Sequence, residues 1–313
     1  MDKRNLPIAF FDSGVGGISV LREALALMPR ENYVYFGDSA NAPYGTKTVE
    51  EIRALTLGHA ERFYRQGIKA LVIACNTATS AAIQALRSIY TDIPVIGIEP
   101  ALKPAALMAE HPTVIVMATP LTVSAAKFHE LLGHYSDKAD VIPLGCPGLM
   151  EFVEMGCLDT PQVENYLKEL LGPYLSRYSA DAIVRGCTHY PFVVGEFRAA
   201  LADLRKRPER AAIVAEDVVF VDPAENTAVM CYRSLRERGL LASRGATAGK
   251  RRVEAFISVG KSGPLSDAVK YGRDVGSRDI GTRIVPMSAS NMPSGSAAMI
   301  KVKMPASAAA IGL

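Results

Sequence analysis

Short, wholly apolar runs recur along the chain. Polar or glycine residues close each one, and a stretch of helical periodicity follows. Ile8-Ala9-Phe10-Phe11 leads into Asp12-Ser13-Gly14-Val15-Gly16-Gly17 and a helix through Leu21 to Met28. A second run covers residues 33–36. Residues 70–74 lead into Cys75-Asn76-Thr77 and a helix from about 79 to 90. Residues 94–98 end at Glu99, and residues 113–118 precede Thr119-Pro120-Leu121-Thr122. Ala182-Ile183-Val184 precedes Gly186-Cys187-Thr188-His189, and residues 218–221 precede Asp222-Pro223-Ala224-Glu225. That last tetrad reads as a helix start, with Asp222 as N-cap, Pro223 as first helical residue and Glu225 as capping-box partner. Strands apolar throughout and alternating with helices predict parallel sheets covered on both faces, an α/β fold.

Polar and reactive residues sit just after these strands, at the carboxyl ends where open α/β sheets bind ligands. The elements also fall into two sets. One contains Cys75-Asn76-Thr77 and the other Cys187-Thr188-His189, each after an Ala-x-Val strand and before a helix. The pattern predicts two pseudo-symmetric parallel-sheet α/β domains with an active site in the cleft between them. The expected division is residues 1–99 plus 212–262 as domain I, 100–211 as domain II, and 263–313 as a basic Gly/Ala/Ser-rich extension of unknown structure. Short strand patterns remain in the last stretch, at residues 254–259, 283–287 and 299–304.

Composition narrows the class without naming a chemistry. The chain has 313 residues, 49% apolar and 21% charged, which excludes global disorder. Its net charge is +3, which alone argues neither for nor against nucleic acid. From Ser243 onward, however, 11 Lys and Arg face 4 Asp and Glu, a net of +7 against −4 for the rest. Five cysteines (Cys75, Cys146, Cys157, Cys187, Cys231) with no CxxC predict neither a disulfide framework nor a zinc site, and a reducing cytosol. The first apolar run stops at Asp12, too short for a signal peptide. No apolar stretch reaches the span of a membrane. A cytoplasmic protein is expected.

The glycine turn after Asp12 lacks both the GxGxxG spacing and a P-loop Lys-Ser/Thr, so a small carboxylate fits it better than a nucleotide. A tight turn without a ligand remains the plain alternative. Cys75 and Cys187 are the informative pair. A cysteine at a helix N-terminus is more readily ionised, and His189 stands two residues past Cys187. One Cys-His pair attacking an acyl group would leave the second thiol unexplained. Proton transfer at carbon uses both, since a racemase needs a base on one face and an acid on the other.

These motifs, together with Pro43-Tyr44-Gly45, Cys75-Asn76-Thr77-Ala78-Thr79, Gly186-Cys187-Thr188-His189-Tyr190-Pro191 and Asp222-Pro223-Ala224, resemble those of glutamate racemases in the aspartate/glutamate racemase superfamily. The resemblance covers roughly residues 7–260. It implies cofactor-independent interconversion of L- and D-glutamate, supplying D-glutamate for peptidoglycan. It further implies that Cys75 takes the α-proton from D-glutamate and Cys187 from L-glutamate. Asp12 and His189 would tune these thiols, with Glu154 as a third acidic residue and Glu151 nearby in sequence. The implied substrate contacts are Ser13, Pro43, Tyr44, Gly45, Asn76, Thr77, Thr119, Thr122 and Thr188. No metal and no other cofactor are implied. Glutamate is the expected partner, with no membrane or nucleic-acid partner and room for a homodimer.

Two departures stand out. Arg185 occupies a position that is usually aliphatic in the family, at the end of a buried strand, where its charge needs a partner or water. The residues after about Ser262 lie beyond the resemblance and read as a solvated extension. Two other readings remain beside the leading one: racemisation of another acidic amino acid such as aspartate, and an interaction protein that uses the basic tail.

Overall fold

The computed structural model describes residues 2–158, 160–206 and 218–242, together with the strand backbone of residues 253–259, 283–286 and 298–303. The chain divides into two compact units. Unit 1 comprises Met1–Ile98 and Ala224–Leu313, and unit 2 comprises Glu99–Pro223.

Unit 1 opens with β1 (Ile8–Asp12), α1 (Ile18–Leu27), β2 (Tyr33–Gly37), α2 (Val49–Gln66), β3 (Ala70–Ile73), α3 (Asn76–Ile89) and β4 (Val95–Gly97). Every residue of β1 and β3 is buried, as expected of central strands in a parallel sheet. α2 starts on a capping box, Thr48 with Glu51, and carries Glu50 and Glu51 in its first turn, where the helix dipole favours negative charge.

Unit 2 contains α4 (Leu102–Ala106), β5 (Thr113–Ala118), α5 (Pro120–Ser124), α6 (Ala126–Gly133), β6 (Asp140–Gly145), α7 (Leu149–Glu154), α8 (Pro161–Leu175), β7 (Ala182–Arg185), α9 (Val194–Arg205) and β8 (Val219–Val221). Leu102, Ala105, Val114, Val116, Phe128 and Val184 belong to one of its buried clusters. The chain then returns to unit 1 through α10 (Pro223–Glu237), β9 (Val253–Val259), β10 (Arg283–Pro286) and β11 (Ala298–Lys303).

Strand order reveals the duplication. Within unit 1 the run β2-β1-β3-β4 is parallel, and unit 2 has the run β6-β5-β7-β8, also parallel. Both follow the order second, first, third, fourth. In such a sheet the ligand crevice lies at the carboxyl ends of the first and third strands. Those ends carry Asp12 and Cys75 in unit 1, and Thr119 and Cys187 in unit 2.

The sheet of unit 1 departs from an all-parallel one. β9 extends it in parallel beside β2, while β11 and β10 add two antiparallel strands. Three strands thus fall where short strand patterns stand in the basic C-terminal stretch. The remainder of residues 243–313 lies outside the described residues.

At the opposite, amino-terminal edge of this sheet sits a buried ion pair. Lys69 just precedes β3 and its ammonium is fully buried against Glu31. Lys69 Nζ also donates to the carbonyls of Arg4 (2.6 Å) and Leu240 (3.0 Å), and Ala242 N–H donates to Glu31 Oε1 at 2.8 Å. One buried pair therefore ties the N-terminal segment and the chain just after α10 to the sheet.

Candidate active site

In unit 1, β1 ends on Asp12, a fully buried carboxylate. Its Oδ1 accepts the Gly14 N–H at 2.9 Å and the Ser13 hydroxyl at 3.3 Å. Close packing around this turn demands glycine at two positions, Gly17 within it and Gly37 at the end of β2. A Cβ on Gly17 would lie 2.7 Å from the Asp12 Cβ, and one on Gly37 would lie 2.1 Å from the Gly14 carbonyl oxygen.

Cys75 is the N-cap of α3, so the helix begins three residues earlier than periodicity alone suggests. Its Sγ accepts the Ala78 N–H at 3.4 Å and lies 3.3 Å from Ser13 Oγ. The sulfur thus stands at the positive end of the α3 dipole. Asn76 and Thr77 follow it in the first turn, both buried. The Asn76 side-chain amide stands unsatisfied: neither its nitrogen nor its oxygen has a hydrogen-bond partner among the described residues. A buried amide without partners costs about 1–3 kcal/mol. Ligand-binding positions tolerate such a cost, because the ligand supplies the missing partners. Asn76→Leu is therefore expected to raise the thermal stability of the free protein while weakening its hold on ligand. A thermal melt beside a binding titration would reveal both, and a lowered melting temperature would contradict the account.

Tyr44 is almost wholly buried, and its hydroxyl donates to Asp38 Oδ2 at 2.8 Å. That commits the phenol to the protein. A ligand at the Pro43-Tyr44-Gly45 turn would therefore meet main chain rather than the phenol's donor.

In unit 2, Thr119 caps α5 by accepting the Thr122 N–H at 3.3 Å, and the two hydroxyls lie 2.9 Å apart. Cys187 follows β7. Its Sγ is 3.6 Å from His189 Nδ1, and His189 Nε2 is 2.7 Å from Glu154 Oε1. Thr188 Oγ1 stands 3.4 Å from the same Nδ1. Of the two neighbouring acids on α7, Glu154 is thus the one bonded to His189. The two thiols are held differently, one at a helix N-terminus and the other beside an imidazole.

His189 is fully buried, and burial alone would lower its pKa. Its bonds to Cys187 and Glu154 and their negative charge outweigh that, and hold it well above 6.5. A raised folded-state pKa stabilises the fold fully below the unfolded value, and that contribution is lost as pH rises through the folded value. Melting temperature is therefore expected to decline on the alkaline side of neutrality. In Glu154→Gln the decline should be smaller and complete at lower pH. Identical pH–melting curves for the two proteins would refute the assignment of Glu154 as the stabilising partner.

The three other cysteines lack such surroundings. Burial pushes the Cys146 and Cys231 thiols up to about 12, and Cys157 is half-buried. Arg185 finds a partner: its guanidinium lies 3.2 Å from Asp222 Oδ2, across the neighbouring strand ends of β7 and β8. Asp222 thus pairs with Arg185, and α10 begins at Pro223, where its sequence signature placed the start. The residues that sequence reasoning overlooked are Asp38 and His59, whose side chains meet behind Tyr44. The only sequence signal was an acid just after an apolar run. Among the described residues no cluster of His, Cys, Asp and Glu could hold a metal ion, and no helix is long and apolar enough to cross a membrane.

Residues 18–231 match the model of the Asp/Glu/hydantoin racemase family. A glutamate racemase of Clostridium perfringens is 50% identical over 239 residues, 76% of this chain and 86% of that protein. Among solved structures, an isoform of glutamate racemase from Bacillus anthracis aligns with TM-score 0.72 and 29% identity, covering 87% of this chain and 94% of that one. The glutamate racemase of Francisella tularensis, solved in complex with D-glutamate, aligns with TM-score 0.70 and 28% identity over 87% of this chain and 93% of its own.

Proposed function

Because this chain belongs to the Asp/Glu/hydantoin racemase family, we propose that it interconverts L- and D-glutamate by α-proton transfer between two cysteines, supplying D-glutamate for peptidoglycan. The observation that carries this reading is the repeated sheet order, with one thiol just beyond the third strand of each unit. Two-base racemisation needs a base on one face and an acid on the other, and a duplicated framework with a thiol in each unit is suited to supply such a pair.

In the proposed cycle one sulfur enters as thiolate and removes the α-proton. The other enters as thiol and delivers a proton to the opposite face. The roles exchange with direction. Asp12 in unit 1, and His189 with Glu154 in unit 2, set the proton inventory of the sulfurs beside them. The α-hydrogen is far less acidic than a thiol, so the developing negative charge needs preorganised donors. The Asn76 amide, the hydroxyls of Ser13, Thr77, Thr119, Thr122 and Thr188, and main-chain N–H groups of the Pro43-Tyr44-Gly45 turn are suited to it. They bind carboxylates without adding a titrating charge that would compete for the proton.

Incubation of each glutamate enantiomer in deuterated water, with no added cofactor, tests the reading. Loss of optical rotation with deuterium incorporation at Cα is expected. Absence of both, with turnover of aspartate in their place, would transfer the activity to another acidic amino acid. The action takes place in the cytoplasm on this reading, where the thiols stay reduced.

A further inference from the structure

We propose that Asp38 and His59 form a positioning pair for the substrate turn. They fix Tyr44 so that the main-chain N–H groups of Tyr44 and Gly45 face the substrate. The inference rests on the reading of Pro43-Tyr44-Gly45 as a substrate-binding turn.

Asp38 follows β2, and its N–H bonds the Asp12 carbonyl at 3.0 Å, which anchors it to the residue that ends β1. Its carboxylate is almost wholly buried. Burial alone would raise its pKa, but bonding and charge from His59, then bonds from Tyr44 and Asn41, hold it below the usual carboxylate value. A carboxylate in that state only accepts hydrogen bonds. Tyr44 O–H donates to Oδ2 at 2.8 Å, Asn41 Nδ2 to both oxygens at 3.0 Å, and His59 Nε2 to Oδ2 at 3.1 Å.

His59 comes from α2 and contributes more than a donor. Its ring lies against those of Phe11 (5.1 Å between centroids) and Phe36 (4.7 Å), on β1 and β2. The plane of the imidazole is therefore set by its packing against these rings, and its Nε2 in turn holds Asp38. Asn41 and His59 are also walls of a cavity of about 490 Å³ that Lys47 and Arg62 help to line. Two donors to Asp38 thus come from the cavity side and the third from the turn. The Tyr44 hydroxyl on this carboxylate makes the turn depend on it.

The test measures kcat and KM for glutamate with His59→Phe, which keeps the ring contacts and removes the donor, and with His59→Gln, which restores an N–H near the Nε2 position. His59→Phe is expected to raise KM about tenfold with kcat within about twofold, and His59→Gln to return KM close to the parent value. Tyr44→Phe, which removes a single oxygen, should raise KM similarly even if His59→Phe fails to fold. The double variant should be no worse than the more impaired single one, because both act through the same carboxylate. An unchanged KM in Tyr44→Phe, or in His59→Phe with lowered melting temperature alone, would overturn the proposal. Lack of racemisation by the parent protein would instead count against the glutamate reading.

Discussion

Alanine at Cys75 or at Cys187 is expected to abolish interconversion of the glutamate enantiomers. Two-base transfer has no substitute for a missing acid or base. Loss of a positioned proton-transfer group costs about 10²–10⁴-fold in general, and here racemisation should fall by the upper part of that range. The variants should also differ from each other. On the proposed mechanism, the thiolate that remains when Cys75 is gone would still face the α-proton of L-glutamate, so that enantiomer should exchange deuterium without inverting. With Cys187 gone, D-glutamate should do so. Each change deletes one sulfur from a site that is already polar, so folding should survive, and circular dichroism would verify this. Near-normal turnover in either variant would refute the two-base mechanism. Exchange of both enantiomers in both variants would show that other groups remove the proton.

The largest expected change in stability lies at the other edge of the unit 1 sheet. Replacing Lys69 by methionine leaves the Glu31 carboxylate buried without its cation, while Ala242 still donates to it. Breaking a buried pair by removing one partner typically costs about 3–5 kcal/mol. Lys69→Met should therefore unfold at markedly lower denaturant concentration. Combining it with Glu31→Leu should recover much of the loss, because the double change removes both charges and both desolvation penalties. The parent, both single variants and the double variant in urea form the measurement. A double variant as unstable as Lys69→Met would show that the connections to Arg4, Leu240 and Ala242, rather than charge balance, hold the site together. Racemisation kinetics of the folded fraction should barely respond, since Cys75 stands at the carboxyl ends of these strands and Lys69 at the amino ends.

Much of this architecture was legible because central parallel strands are apolar on both faces. The runs 8–11, 70–74, 113–118 and 182–184 could be little else, and the polar residues after them marked the ligand end. β6 escaped notice for the converse reason. It is an edge strand with only one fully buried residue, and Pro143 interrupts its pattern. The thiols of Cys75 and Cys187 were legible from their place between strand and helix. The manner in which each is held was not, because it depends on side-chain direction. Glu151 and Glu154 are three residues apart on one helix, and only coordinates show which of them meets His189. Asp38 with His59, and Glu31 with Lys69, are separated by 21 and 38 residues. Neither pair has a local signature, since tertiary contact alone creates them.

β9 shields the edge of β2, and β11 in turn shields β9. The basic C-terminal stretch, so easily taken for a dispensable appendage, therefore caps a sheet. Truncation before Arg283 would leave the ladder of β9 open to other chains, and truncation before Val253 would do the same to β2. Unpaired strand edges recruit strands from other molecules. Shortened forms of this protein should therefore betray themselves first by self-association, in light scattering or sedimentation, before any change in the chemistry at Cys75 is seen.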